Sequence, residues 1–505
     1  MTEANREEEQ AATLSFLRAL PGDHGGRARE IETSLNRLFL SGSKVYKLKR
    51  ALAHDYCNFL SRESRRAACE REMAVNRRFA PDLYRGVREI KVSAGVASFD
   101  GPGQVLDAVV EMERFNRDDQ LDRLLQRGQL TNAIIDALGD RIAGDHLSAE
   151  VVKDADFSSD ISSVIANLSK DRLRAEPPEH RVEEWSLAAA RLAGANTKHF
   201  VDRRETGFVR RCHGDLHLAN LVLINGAPTP FDALEFDERM ATIDILYDLA
   251  FLLMDLYRFN KRGEAARTLS RYLSATGDYG GVKALPLFIS VRAAIRAMAT
   301  GFNGERAQSA EFAELALSAK DGSEKPALIA IGGFSGSGKS TLAYALNAEA
   351  PGYGSVVSLH SDIVRKRLLA LDPEENAPLA AYKDEISERT YAAMASSANK
   401  ALRADATVIL DATFGSTAQR EAVRNLAAEA NAPFIGLWLD APTEVLTRRI
   451  VERKNDPSDA TPEVLLRQRE RFTEPTDREG WIKPKAAADM EEILQSLTAK
   501  GINWG

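Results

Sequence analysis

Residues 333–340 read Gly-Phe-Ser-Gly-Ser-Gly-Lys-Ser, a match to the pattern G-x-x-x-x-G-K-[ST]. Nothing else in the chain limits its folding as tightly. The pattern needs a strand before it and a helix after it, so that its backbone N–H groups converge on one point. The flanks supply both. Ala327–Gly333 (ALIAIGG) is a short apolar run of the kind that forms a buried parallel strand, and Thr341–Ala350 (TLAYALNAEA) reads as a helix. Glycines let the N–H groups turn inward around phosphate oxygens, and the helix N-terminus adds partial positive charge. The candidate nucleotide-binding residues are Gly333, Ser335, Gly336, Ser337, Gly338, Lys339, Ser340 and Thr341. Lys339 is expected to reach the β- and γ-phosphates of ATP, and Ser340 to hold Mg²⁺.

Further buried-strand candidates recur at 355–360, 406–412 and 433–440, with helical segments between them. That alternation predicts a parallel sheet with helices on both faces. Upstream, Ala307–Lys320 has helical spacing and Asp321–Pro326 is polar and turn-rich. A chain of 505 residues exceeds one ordinary core. The expected division falls at about residue 322, giving domains 1–322 and 323–505. The first half reads as a small α+β lobe at about 25–113 and a helical lobe at about 118–320. Strand candidates at 34–42, 43–50 and 106–113 and a charged helix at 61–79 define the small lobe.

The net charge of −7 argues against a broadly basic nucleic-acid surface. Three cysteines, Cys57, Cys69 and Cys212, cannot frame a chain this long and fit a reducing cytoplasm. The acidic N-terminus is no signal peptide, and the most apolar stretch, Ile243–Tyr257, is interrupted by Asp248 and Asp255. It is too short for a bilayer and reads as a buried helix, so a cytoplasmic protein with no membrane partner is expected.

After the second strand of the C-terminal half comes His360-Ser361-Asp362-Ile363-Val364-Arg365-Lys366. With the phosphate loop, this S-D-x-x-R pattern resembles the acceptor site of the P-loop small-molecule kinases. That group includes gluconate-kinase-like, polynucleotide-5′-kinase-like and zeta-toxin-like proteins and AAA-type kinases. The resemblance covers residues 327 to about 475. It implies that Asp362 accepts the proton of the attacking hydroxyl and that Arg365 binds the acceptor or the moving phosphoryl. A carboxylate at the carboxyl end of a strand does face the ligand crevice of an open α/β sheet. The alternative is that Asp362 caps the following helix, since Asp is a favoured N-cap, and the two roles can coexist. Asp411 ends the run TVILDATF and resembles a Walker-B-type aspartate supporting Mg²⁺; turn hydrogen bonds alone are the alternative. Arg449 and Arg453, four apart on a predicted helix, look like lid arginines, with Arg448 and Ser458-Asp459 as further participants. So charged a run also reads as a solvated face.

The first half carries Cys212-His213-Gly214-Asp215-Leu216-His217-Leu218-Ala219-Asn220, then Pro230-Phe231-Asp232-Ala233-Leu234-Glu235-Phe236. H-G-D-x-x-x-x-N followed by F-D resembles the aminoglycoside phosphotransferase and choline kinase group, which shares the protein-kinase fold. The resemblance implies that Asp215 orients or deprotonates the acceptor hydroxyl and that Asn220 and Asp232 hold Mg²⁺. It also calls for a strand lysine paired with a helix glutamate. Lys47 fits the first, with Lys49 of the same strand parity as the alternative. Glu72 fits the second, ahead of Glu70. Asp107–Phe115 stands where a lobe-connecting hinge falls, with backbone around Glu111–Glu113 available to adenine. Asp244 and Asp248 resemble a structural aspartate pair of this group, or simply pin the helix 243–257. No G-x-G-x-x-G loop precedes Lys47; Glu32-Thr33-Ser34-Leu35-Asn36 is the nearest equivalent.

The whole chain thus reads as a tandem phosphotransferase using ATP and Mg²⁺ on a small-molecule hydroxyl acceptor, with no oligomeric state specified. The alternative is one active kinase half beside a nucleotide-gated regulatory half.

Overall fold

The computed structural model describes residues 3–54, 57–170, 179–319, 325–453, 457–484, 490–502 and 504. The chain divides into two compact units. One comprises residues 1–131, 149–155 and 207–248, the other residues 132–148, 156–206 and 249–505. Residue 322, the expected boundary, lies outside the described residues. The compact units follow a different division: helices from the first half of the sequence belong with the C-terminal sheet.

The first unit is built on a six-stranded antiparallel sheet. Its strands are β1 (Arg29–Glu32), β2 (Asn36–Ser41), β3 (Lys44–Lys49), β6 (Tyr84–Ser93), β7 (Val96–Phe99) and β8 (Gln104–Glu113). The order is β1-β2-β3-β8-β6-β7. A short pair, β4 (Ala53–His54) and β5 (Cys57–Asn58), precedes helix Arg62–Asn76. That helix starts on Ser61, whose side chain accepts the Ser64 N–H. The N-terminal helix Glu3–Ala19 brings Leu14 and Leu17 against Phe39, Leu48, Ile90 and Val109. Two further antiparallel pairs, β9 (Val209–Arg211) with β12 (Thr242–Asp244) and β10 (Leu221–Ile224) with β11 (Ala227–Pro230), frame the loop that carries Asp215.

The second unit holds helices from before residue 322, among them Asn132–Ser148, Arg262–Thr276, Leu285–Phe302 and Arg306–Ala319. Its sheet is fully parallel, β13 (Leu328–Gly333), β14 (Val356–His360), β15 (Thr407–Asp411) and β16 (Phe434–Leu439), in the order β14-β15-β13-β16. Every residue of β13 and β14 is buried, including Ser358 and His360 of β14, as a strand covered on both faces requires. The carboxyl ends of β13, β14 and β15 carry the phosphate loop, Asp362 and Asp411, at the edge where such sheets bind ligands. The first half is therefore α+β, an antiparallel sheet followed by helices, and the C-terminal half has a parallel-sheet P-loop fold. Among the described residues no helix is long and apolar enough to cross a membrane.

One expectation needs correction. Arg449 lies on helix Thr443–Glu452, but Arg453 has left it, with φ −65° and ψ 136°. The sequence Lys454-Asn455-Asp456-Pro457 explains the stop, because Asn and Asp favour caps and a proline disfavours helix before it. The two arginines do not share a helical face.

Candidate active sites

In the first unit, strand β3 turns both Lys47 and Lys49 toward one helix residue. Lys47 Nζ lies 2.8 Å from Glu72 Oε1, and Lys49 Nζ lies 2.7 Å from Glu72 Oε2. Glu72 is fully buried, whereas Glu70 is exposed and pairs with Arg66. Lys47 also pairs with Asp232 at 2.5 Å, and Lys49 with Glu235. Burial opposes the charge on Lys47, but Asp232 and Glu72 overcome it and hold the ammonium well above its ordinary range. Burial likewise opposes the charge on Glu72, yet Lys47 and Lys49 bring it down to about 2. Glu235 runs the other way: burial pushes it up against the pull of Lys49. The sequence reading assigned no role to Glu235, although it stands three residues after Asp232.

A pH prediction follows from Glu72. Its folded pKa is depressed, so its stabilising contribution is present above about 4.5 and is lost as pH falls toward about 2. Denaturant titrations between those limits should show stability rising with pH, and Glu72→Gln should flatten that rise. An unchanged slope in the variant would count against the charged cluster.

The Asp215 loop is tied down from below. Asp248, fully buried, accepts the N–H groups of His213 and Gly214, both at 2.9 Å. Asp244 accepts the Leu246 N–H at 2.9 Å, so it caps its own helix. Burial lowers the pKa of His213 against the opposing charges of Asp248 and Asp215, which keeps the ring neutral. Its Nδ1 faces the Asp215 N–H at 3.3 Å and its Nε2 faces the Phe231 carbonyl at 3.0 Å. A single tautomer, protonated on Nε2, satisfies both and joins the loop to the Phe231-Asp232 segment. Asn220 Nδ2 donates to the Asp215 backbone carbonyl at 3.0 Å and to its carboxylate at 2.9 Å. Asp232 itself sits at φ +59°, a left-handed conformation uncommon outside glycine. The turn Thr33–Leu35, in place of a glycine-rich loop, is a tight hairpin connection in which Thr33 N–H donates to Asn36 O at 2.9 Å. At the hinge, the Glu113 N–H is committed to the Leu83 carbonyl, which removes one of the backbone donors expected for adenine, and the next N–H, of Arg114, is committed to Ser43.

In the second unit the phosphate loop depends on glycine at two points. At Gly333 φ is +138°, and a Cβ there would lie 2.1 Å from the Leu439 carbonyl oxygen. At Gly336 φ is +81°, and a Cβ would lie 2.8 Å from the Leu446 carbonyl oxygen. Gly338 N-caps helix Lys339–Ala348, whose exposed first turn carries Thr341. Lys339 Nζ donates to the Phe334 carbonyl at 2.8 Å. Gln468 holds Ser335 through both its backbone N–H and its hydroxyl, each at 2.9 Å, and Arg449 reaches the Gly336 carbonyl at 3.4 Å. The buried Ser337 hydroxyl has no hydrogen-bond partner among the described residues.

Ser340 Oγ donates to Asp411 Oδ2 at 2.5 Å, and His360 Nδ1 meets the same oxygen at 2.8 Å. Burial would raise the pKa of Asp411, but His360, Lys339 and Ser340 hold it below the usual carboxylate range. Asp362 occupies the first turn of helix Ser361–Leu368, whose N-cap is His360, so the N-cap alternative does not apply. Burial pushes the Asp362 pKa up, against Arg365 and a hydrogen bond from Ser458. Arg365 is buried, bonds the Ala381 carbonyl at 3.1 Å and Ser387 Oγ at 3.3 Å, and lies over the Tyr382 ring. Arg453 reaches the Ser458 carbonyl at 3.3 Å. Asp459 accepts from buried Lys366 at 3.0 Å and from the Ala377 N–H at 3.0 Å, which fastens this segment to the Asp362 helix. Arg448 is exposed. Sequence reasoning gave no role to His360 or Gln468; neither belongs to a pattern that spacing alone reveals.

A family model described as an AAA domain matches residues 328–475. An uncharacterized protein of Mycobacterium tuberculosis is 28% identical over 458 residues, covering 86% of this chain and 88% of the relative. One from Mycobacterium bovis matches to the same extent. Among solved structures, a gluconokinase from Sinorhizobium meliloti 1021 is 19% identical, covering 35% of this chain and 93% of its own, with a TM-score of 0.26. A choline kinase from Cryptosporidium parvum Iowa II is 11% identical, covering 62% of this chain and 94% of its own, with a TM-score of 0.40.

Proposed function

We propose that the protein is a bifunctional, ATP-dependent phosphotransferase with one active site per unit, moving the γ-phosphoryl group to hydroxyls of small polar metabolites such as sugars or their derivatives. The observation that carries this reading is that each unit gathers its own cation, carboxylate and acceptor groups from distant parts of the chain. In the first, Lys47, Glu72 and Asp232 are joined, and Asp215 is bonded to Asn220. In the second, Ser340 and Asp411 are joined beneath the phosphate loop, and Asp362 opens the neighbouring helix.

The donor sets fit the group they would hold. Hydroxyl, amide and carboxylate oxygens are what Mg²⁺ requires, and the buried Ser337 hydroxyl of the loop, unpartnered among the described residues, suits a phosphate oxygen. Asn220 and Asp232 would hold the metal in the first site, Ser340 and Asp411 in the second. Bound Mg²⁺ neutralises charge on the phosphates. The chain's own groups do the rest. Glu72 fixes Lys47 for the α- and β-phosphates; Lys339 swings from the Phe334 carbonyl to the β- and γ-phosphates. Asp215 and Asp362 orient the acceptor hydroxyl and take its proton, and the raised pKa of Asp362 suits a base. Arg365, Arg449 and Arg453 would stabilise charge on the moving phosphoryl, Arg365 after release from Ala381 and Ser387.

One observation favours a second reading. Gln468 occupies the Ser335 N–H, so nucleotide entry would displace a helix residue, as a nucleotide-gated module requires. Asp362 separates the two readings, because a gate has no use for a base.

The test incubates the full chain with Mg–ATP and a small-molecule extract, beside Asp215→Asn and Asp362→Asn, and compares products by mass spectrometry. Two sets of phosphorylated species, one lost in each variant, are expected. Products insensitive to Asp362→Asn would leave the second unit as a gate, and products insensitive to both would overturn the proposal.

A further inference from the structure

Helix Arg262–Thr276 precedes the phosphate-loop domain expected from the sequence, yet within the second unit its side chains reach the elements of the phosphate-loop site. Arg262 donates to the Gly352 carbonyl at 2.8 Å and lies over the Tyr353 ring. Ser270 Oγ donates to the Ser358 carbonyl on β14 at 2.7 Å. Between them, Arg267 Nε donates to Asp136 Oδ1 at 2.6 Å, while its guanidinium lies 4.6 Å from the centre of the Tyr344 ring.

Tyr344 stands on the helix that the phosphate loop opens. Its ring is 4.8 Å from that of His360, at 31°. His360 meets Asp411 Oδ2 at 2.8 Å, the oxygen that also accepts the Ser340 hydroxyl. The buried His360 Nε2 has no hydrogen-bond partner among the described residues. The imidazole is therefore held by Asp411 at one nitrogen and by the Tyr344 ring across its face.

We propose that Arg267 is a positioning residue for the second site, acting through Tyr344 and His360 to fix the Asp411 carboxylate beside Ser340. The proposal rests on the reading of Ser340 and Asp411 as the metal-holding pair. Asp136 takes the edge of the guanidinium and leaves its face to the aromatic ring, where a cation is attracted. The ring then sets the plane of His360, and the Nδ1–H sets the direction of the carboxylate. The C-terminal half is thus not self-sufficient: the orientation of the carboxylate read as metal-holding is set from a helix that precedes β13 in the chain.

The test measures Mn²⁺ affinity by electron paramagnetic resonance with ADP present, on the full chain in an Asp232→Ala background that removes that oxygen ligand from the first site. Asp411→Asn should weaken binding most, and His360→Ala by about 10–100-fold. Arg267→Leu and Tyr344→Leu should each weaken it by several-fold, and Arg267→Lys should restore most of the loss, because an ammonium also sits over a ring. Arg267→Leu strands the Asp136 carboxylate and risks misfolding, so Tyr344→Leu, which leaves that ion pair intact, is decisive. Unchanged affinity in Tyr344→Leu beside a weakened Asp411→Asn would overturn the relay alone. Unchanged affinity in Asp411→Asn would overturn the metal-site reading and the relay with it.

Discussion

Asp215→Asn should slow phosphoryl transfer at the first site by about 10²–10⁴-fold, the usual contribution of a positioned general base. Asparagine keeps an oxygen where Asn220 donates its amide hydrogen, so the local hydrogen bond survives. What is lost is the basicity of a carboxylate that is 40% exposed and open to an incoming hydroxyl. The Lys47–Glu72 pair and Asp232 are untouched, so the KM for ATP should hold within about a factor of two. The melting temperature should not move. Products of the second site should persist, because Asp362, Ser340 and Asp411 belong to the other unit. Single-turnover assays on the acceptor found by mass spectrometry, with circular dichroism melts alongside, check all four statements. A rate within about tenfold of the parent would remove Asp215 from the chemistry.

The parallel sheet was legible because each of its strands is a short, mostly apolar run, as burial on both faces requires. Strands β6 and β7 were not foreseen. Tyr84–Ser93 reads YRGVREIKVS, and its pairing with β8 shifts register at Tyr84/Gly86 and again at Ile90/Lys91. Each shift breaks the two-residue alternation on which strand recognition depends. The N-terminal helix was hidden for a related reason. Its first half is acidic, and the residues that anchor it, Leu14, Leu17 and the buried Gln10, are too few to declare a periodic face. Gln10 matters through distant partners, the Lys49 carbonyl and Asp107, which no local pattern encodes.

The sites divide along the same line. Residues 333–340 and 212–220 were legible because their chemistry is local: one loop, one set of backbone donors, one helix terminus. Pairings across the chain were not. Parity put Lys47 and Lys49 on the same face but offered no choice between them, and the structure brings both to Glu72. For Asp362 the sequence left an N-cap as the alternative to a base, and the helix begins one residue earlier. Ser458-Asp459 sat in a charged run that reads as solvent-facing, and only the fold brings Asp459 to Lys366. A buried ion pair between distant residues leaves no periodic trace.

Asp248→Ala should be the most damaging single change to the first unit. Asp248 is fully buried, and its two carboxylate oxygens accept the His213 and Gly214 N–H groups at 2.9 Å. Alanine leaves both donors buried and unmet, at about 1–3 kcal/mol each, hence about 2–6 kcal/mol together. That is a large share of the net stability of a domain. The loss is also directional. His213 joins the loop to the Phe231 carbonyl, so freeing its backbone loosens Asp215 and Asp232 at once. Asp248→Asn should recover little, because one of its two positions becomes an amide that faces an N–H donor with hydrogens of its own. Native-state hydrogen exchange gives the sharpest readout. The His213 and Gly214 amides should exchange with global unfolding in the parent and far faster in the variant, while the amides of β13–β16 stay protected. First-site turnover should fall even well below the melting transition, since the loop is disordered before the unit unfolds. Unaltered protection of those two amides in Asp248→Ala would mean that the loop is held by something other than this carboxylate.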